Sequence, residues 1–188
     1  MKCWWNLMKD DFKKFCSALR YLNLDLKNPR EDYQTRFILQ KMAYILKVLG
    51  FSLNYDFNLY IHGPYCRILT EDYYNNPKII ENQNQISEFD QIEKNILEKI
   101  KKHVLCHKLA KEHLSEFLET VATILFFKVN EPSLLDDDLF VKTKEEKPYL
   151  KDWMITVGIN VVKKLLFHHD FVTEEVKKEI DTWNLAND

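Results

Sequence analysis

The sequence predicts a mainly α-helical protein with one small β element, either a hairpin or a sheet of two to three strands. Chain breakers are scarce, because only 3 glycines and 5 prolines occur in 188 residues, and long helices joined by polar turns fit that scarcity. Apolar residues recur at helical spacing along most of the chain, whereas strict alternation occurs at residues 51–62. With 46% hydrophobic residues, the chain can build one core. We therefore predict a single domain, 1–188, with a candidate subdomain boundary near 77–87.

Two helices are predicted in the first fifty residues. Residues 8–22 place aromatic and aliphatic side chains every three or four positions. Residues 32–49 carry the strongest helical signal of the chain, with a wide apolar stripe along one face. Gly50 follows at the position where helices commonly end on a left-handed glycine.

The period of the apolar residues changes from 3.6 to 2 in residues 51–62. This alternation predicts one half-buried strand, or two short strands around a turn at 54–56. Gly63 and Pro64 then predict a turn that leads into a helix over 66–76.

Four more helices are predicted downstream. Their predicted starts are Ser87, residue 112, Pro148 at the first helical position, and Thr173 as an N-cap. The acidic triplet at 136–138 and the charged run KTKEEK a few residues later are predicted as solvated loops or helix ends.

The composition narrows the classes of function. A formal net charge of −2 gives no global basic field that would point to nucleic acid, although a local basic face stays open. The 4 cysteines show no CxxC spacing, which indicates reduced thiols in a cytoplasmic protein. No apolar run approaches the roughly 18 residues that a membrane span needs. Neither a membrane association nor a cofactor is predicted.

Four short pieces of the region 39–66 carry a resemblance to known proteins. They are Leu39-Gln40-Lys41, Tyr44-Ile45-Leu46, Tyr55-Asp56-Phe57 and Gly63-Pro64-Tyr65. Over about 40 residues the chain resembles the YwgA-like family of bacteria and archaea, in which an LQK helix precedes a Y-x-F piece and a YGPYS turn. More remotely it is similar to the Panacea-type antitoxin domain. This chain departs from the family pattern at His62, where the pattern has tyrosine, and at Cys66, where it has serine.

The resemblance implies a helical domain with a small sheet, of which a winged helix is one arrangement. It also implies a role in regulation or in toxin neutralisation. No established enzymatic activity comes with it.

The motif His62-Gly63-Pro64-Tyr65-Cys66 allows two interpretations. A cysteine and a histidine four residues apart suggest a nucleophile and its base, as in a hydrolase or transferase. Alternatively, the glycine permits a turn, the proline fixes φ, the tyrosine packs, and the cysteine lies near a helix cap. We adopt the structural turn and predict no catalytic residue.

A second candidate is the set His103, Cys106 and His107, which share one face of a predicted helix. Three such ligands and a water could hold zinc. The surrounding lysines disfavour a cation, so no metal site is predicted, and whether these residues ever bind metal stays open.

The lysines themselves are the third candidate. Lys99, Lys101 and Lys102, joined by Arg36 and Lys41 if the LQK helix is a recognition helix, are predicted to contact nucleic-acid phosphates. The competing interpretation is a solvated helix face.

The predicted function is therefore a non-enzymatic cytoplasmic module of regulation or interaction. Its partner is nucleic acid or, in the antitoxin-like alternative, a protein, and a homodimer stays open. Nucleic-acid binding predicts a steep dependence on salt, whereas protein binding predicts sensitivity at exposed aromatic residues.

Overall fold

The computed structural model describes residues 2–24, 29–81 and 87–167. Within these ranges the chain forms eight α-helices, a single π-helical turn and one β-hairpin. The elements are α1 (Lys2–Tyr21), α2 (Tyr33–Val48), β1 (Asn58–Tyr60), β2 (Gly63–Tyr65), α3 (Arg67–Asn75), α4 (Pro77–Glu81), α5 (Gln91–Ile100), the π turn (Lys101–Leu105), α6 (Lys108–Asn130), α7 (Asp136–Glu146) and α8 (Asp152–Leu166). The predicted fold class, mainly α with a small β-hairpin, is confirmed.

Helix α2 lies at the centre of the packing. All eight residues from 39 to 46 are buried, so the helix is covered on every side and not only along its apolar stripe. It packs against α6, which packs in turn against α8, and β2 lies on both α2 and α6. The hairpin therefore rests directly on the core.

Both ends of α2 follow from local sequence. The Asp32 carboxylate accepts hydrogen bonds from the amides of Gln34 and Thr35 at 3.2 and 3.1 Å, which caps the first turn. At the other end Gly50 has φ +95°, as predicted for a C-terminal glycine.

The turn of the hairpin lies at a different position from the predicted one. The two strands pair antiparallel with Leu59 opposite Pro64, and the chain turns at Ile61 and His62 rather than at 54–56. Residues 53–57 alternate in burial but belong to no strand and have no strand partner among the described residues. The alternation of apolar and polar residues indicates which face of a strand is buried but not which residues pair. The predicted position of the turn was therefore wrong.

The predicted turn from Gly63-Pro64 into a helix is also wrong. Both residues belong to β2, and α3 starts only after Cys66, whose sulfur accepts a hydrogen bond from the Leu69 amide at 3.5 Å. Cys66 does lie at the helix cap, as expected.

Several downstream boundaries move. Helix α5 starts at Gln91 rather than at Ser87, because Asp90 and Glu93 form a reciprocal capping box. Helix α8 starts at Asp152, four residues after Pro148. The helix predicted after Thr173 lies outside the described residues.

The charged segment after residue 135 is helical. The acidic triplet forms the first turn of α7, where the helix dipole favours negative charge, and most of the KTKEEK run continues the same helix. None of the helices in the described part of the chain combines the length and the hydropathy that a membrane span needs.

Candidate functional site

A buried polar cluster lies under the hairpin. Lys41 of α2 is 3% exposed, and its ammonium donates to the carbonyl of Pro64 at 3.0 Å. Lys147, just after α7, is 2% exposed and donates to the carbonyls of Tyr60 and Ile61 at 2.8 and 2.6 Å. Two buried ammonium groups therefore hold three carbonyls of the hairpin.

Glu119 of α6 contributes a buried carboxylate to the same cluster. It accepts a hydrogen bond from the Tyr149 hydroxyl, which also lies 3.1 Å from the carbonyl of Ile61. Its Oε1 is 3.5 Å from Nδ1 of His62. A nearby negative charge offsets part of the cost of burying two ammonium groups.

Gly63 brings the hairpin close to α6. A Cβ at this position would lie 2.8 Å from Oγ1 of Thr123, one helical turn after Glu119. Its φ is +81°, a conformation that L side chains rarely adopt. Both the close contact with Thr123 and the positive φ therefore favour glycine at this position.

Burial dominates the electrostatics of the cluster. It lowers the pKa of the Lys41 ammonium to about 8; the Glu119 carboxylate opposes this shift, and the Lys147 charge adds to it. Burial also lowers the pKa of the Lys147 ammonium. Burial therefore disfavours the charged form of both lysines. Their hydrogen bonds to hairpin carbonyls show that they support the hairpin.

Two pieces of the motif that carries the resemblance touch each other in space. Besides the contact of Lys41, Gln40 accepts from the amide of Cys66 at 2.8 Å and donates to its carbonyl at 3.0 Å. The LQK residues of α2 therefore fix the backbone of the GPY strand and of the α3 cap.

Aromatic rings cover the hairpin on its outer side. Tyr33 and Phe37 of α2, then His62, then Tyr149 follow one another with ring centroids 6.0, 6.0 and 6.3 Å apart. Ile61 at the turn is 77% exposed. We call Tyr33, Phe37, Ile61, His62 and Tyr149 the hairpin surface.

A shallow groove occurs on a different element. It has a volume of about 470 Å³ and is lined by α7 and the segment before it, with carboxylates of Glu131, Asp137, Asp138 and Glu145 among its residues. None of the hairpin surface residues lines it.

The thiol of Cys66 is not arranged as a nucleophile. It is buried, and burial raises its pKa, while backbone hydrogen bonds act in the opposite direction. Reactive cysteines combine exposure with a lowered pKa. The geometry supports the capping role of Cys66 and gives the hydrolase or transferase alternative no accessible sulfur.

We expect alkylation to follow exposure rather than the motif. In variants that each keep a single cysteine, the exposed Cys106 should react more than about tenfold faster than Cys66 with iodoacetamide at neutral pH. Both should react at similar rates in urea. A Cys66 that reacts as fast as Cys106 in the folded protein would contradict the capping role.

Two predicted phosphate contacts lie on α2, and one of them is corrected. The prediction placed Lys41 on an exposed face, but it is buried and bound to Pro64. Arg36 is half-buried; it donates to the carbonyl of Pro29 at 2.8 Å and lies over the Tyr33 ring. Because residues 39–46 are buried, this part of α2 is not available to a groove of DNA in this conformation.

The other three predicted contacts lie together at the end of α5 and in the π turn. Lys102 is exposed and Lys101 is half-buried. Lys99 donates to the carbonyl of Phe167 at 3.2 Å, and burial lowers the pKa of its ammonium. Their role toward nucleic acid stays a prediction.

The candidate zinc ligands do not converge. The imidazole of His107 caps α6 by accepting from the Leu109 amide at 3.2 Å and stacks on Phe117. Cys106 is exposed beside it. Within residues 2–24, 29–81 and 87–167, no three His, Cys, Asp or Glu side chains are placed to share a metal ion.

Glu119, Thr123, Lys147 and Tyr149 are not among the site residues predicted from the sequence. The first two are polar residues within the largely apolar stretch FLETVATILFF, and such interruptions are a signal that could have been used. Lys147 sits in a charged run and carries no comparable signal.

Comparison with known proteins adds no family: no family model, curated protein or solved structure matches the chain.

Proposed function

We propose that this protein is a non-enzymatic interaction module that binds a protein partner through the hairpin surface. The observation that carries the proposal is a largely exposed apolar and aromatic patch around the turn of a hairpin that buried lysines hold in place. Aromatic anchors supply much of the energy of protein interfaces. The antitoxin-like resemblance is consistent with this proposal.

Rigidity of the hairpin supports the same proposal. A surface that is already ordered loses less conformational entropy when a partner binds. Carbonyls on both sides of the turn accept from Lys41 and Lys147, and Tyr149 lies within hydrogen-bond distance of Ile61. The buried polar cluster thus keeps the hairpin surface ordered before a partner binds.

The proposal is tested by affinity capture from the native host with matched variants. Ile61→Asp places a charge on the hairpin surface, whereas Ile92→Asp makes the same change on α5, where the side chain is 69% exposed. We expect the first variant to lose its specific partner and the second to keep it, since a buried charge at an interface centre costs several kcal/mol. Equal capture by the two variants would contradict the proposal. If the captured protein is this chain itself, the partner is a second copy.

Nucleic acid is the second candidate, and one observation favours it. No salt bridge joins Lys101, Lys102, Lys108 or Lys111 to a carboxylate within the described ranges. As far as the described residues go, their charge is therefore available to phosphates.

Binding to labelled DNA and RNA pools between about 50 and 200 mM salt separates the two candidates. A steep loss of affinity with salt that is reduced by Lys101→Ala and Lys102→Ala would favour nucleic acid. No binding at the lowest salt would remove that candidate.

A further inference from the structure

The segment before β1 has the burial pattern of a strand but lacks a strand's partners. Residues 53–57 belong to no helix or strand, and their side chains alternate between more buried and exposed in step with β1. Between residues 52 and 57, no backbone-to-backbone hydrogen bond to a described residue forms. Backbone donors and acceptors without a strand partner are available along the edge of such a segment.

One edge of the segment is filled. Leu59 lies opposite Pro64, which has no N–H, so the ladder bonds come from Asn58 and Tyr60. The N–H and C=O groups of successive residues point to opposite edges of a strand. The N–H and C=O groups of the even-numbered residues therefore point toward β2.

The same edge is filled before β1 begins. The amide of Asn54 donates to the Asp11 carboxylate at 3.1 Å. The backbone of Asp56 lies beside the Cys66 thiol and favours its charged form, which opposes the rise in pKa that burial causes. Side chains thus take the place of a strand along the even-numbered edge.

The opposite edge carries the backbone groups of the odd-numbered residues, and most of it is unpaired within the part of the chain that the structure describes. The carbonyl of Tyr55 accepts from Lys47, which closes this edge at one end. Beyond it, the backbone groups of Phe57 and Leu59 have no hydrogen bond with any described residue. We call the backbone of Phe57 and Leu59 the open edge.

We propose that the open edge pairs with an extended peptide strand of the partner protein. This inference rests on the proposed protein-binding function and names the form of the partner at that site. Two N–H and two C=O groups at strand spacing match the backbone of another strand, as in strand addition to a sheet edge. The half-buried side chains of Phe57 and Leu59 and the exposed Ile61 give apolar cover to alternate residues of the added strand.

The free protein provides the first test, through amide hydrogen exchange. We expect the amides of Phe57 and Leu59 to exchange faster than those of Asn58 and Tyr60, because only the latter pair donates to β2. Slow exchange at Phe57 and Leu59 in the free protein would mean that the edge is already covered and would overturn the inference.

The second test uses peptides selected from a random displayed library on the purified full-length chain. A selected peptide should slow exchange at Phe57 and Leu59. Methylation of the backbone nitrogens at either the odd or the even positions of the peptide should weaken binding by about tenfold or more. Methylation at the other set should not, because only one set of nitrogens faces the open edge. A library that yields no binder, or a binder that leaves these two amides unchanged, would overturn the inference.

The two proposals fail separately. If Ile61→Asp abolishes partner capture while no peptide protects the open edge, the hairpin surface stands and the strand partner is wrong. If peptides protect the open edge while Ile61→Asp captures normally, the strand partner stands and the hairpin surface is wrong.

Discussion

Replacing Gly63 by alanine is expected to lower the free energy of unfolding by about 3 kcal/mol, the sum of a left-handed backbone cost and an overpacked contact. The new Cβ would lie 2.8 Å from Oγ1 of Thr123, in a place where α6 and the hairpin are both fixed. Urea unfolding followed by circular dichroism measures the change.

Two variants separate the causes of this effect. Gly50 has φ +95°, but the nearest atom to an added Cβ is 3.9 Å away, so Gly50→Ala should cost only about 1 kcal/mol. In the pair Gly63→Ala with Thr123→Ala, removal of Oγ1 should recover the steric part, which a double-mutant cycle reports as a coupling. An equal loss at Gly50 and Gly63, without coupling to Thr123, would contradict close contact between the hairpin and α6.

The second large effect is expected at Lys41 as a function of pH. Its pKa is about 8 in the folded protein, below the value of 10.5 that it has in water. Between these two values the unfolded chain binds more protons than the folded one, so stability rises with pH. Relative to Lys41→Met, the wild type should gain roughly 3 kcal/mol from pH 7 to pH 10.5, since one pKa unit corresponds to about 1.4 kcal/mol.

The comparison with the variant isolates this contribution. Tyrosines and cysteines with a raised pKa lower the free energy of unfolding at alkaline pH, and they do so in both proteins. Their effect therefore cancels in the difference between wild type and variant. Lys102→Met serves as the control, because the exposed ammonium of Lys102 meets water in the folded and the unfolded chain. A wild-type curve that runs parallel to that of Lys41→Met over this range would contradict the burial of the ammonium.

The parts of the fold that were predictable are those with local causes. The helix at α2 and its end at Gly50 follow from periodicity and from a glycine with positive φ. The hairpin existed in the prediction as one alternative, but its turn was placed at 54–56 instead of at Ile61 and His62. That position depends on what β2 rests on, namely α2 and α6, and such contacts are not encoded in the period of the strand.

The candidate site was predicted in part and for incomplete reasons. Within the HGPYC motif Cys66 lies at the helix cap as expected, but Gly63 and Pro64 belong to β2 and the turn precedes them. The neighbours Glu119 and Lys147 come from segments more than fifty residues away. Lys41 shows the limit most clearly. Charge in a sequence favours exposure, whereas the contacts that accommodate this buried lysine, the carbonyl of Pro64 and the charge of Glu119, come from distant segments.

A photo-crosslinking amino acid at position 61 tests the central claim most directly. Incorporated in place of Ile61 in the native host, it should give a covalent adduct with one discrete protein, whereas the same group in place of the similarly exposed Ile92 should not. That result would identify the partner and place it on the hairpin surface. No protein adduct at position 61, the same adducts at both positions, or adducts with nucleic acid instead would contradict the account.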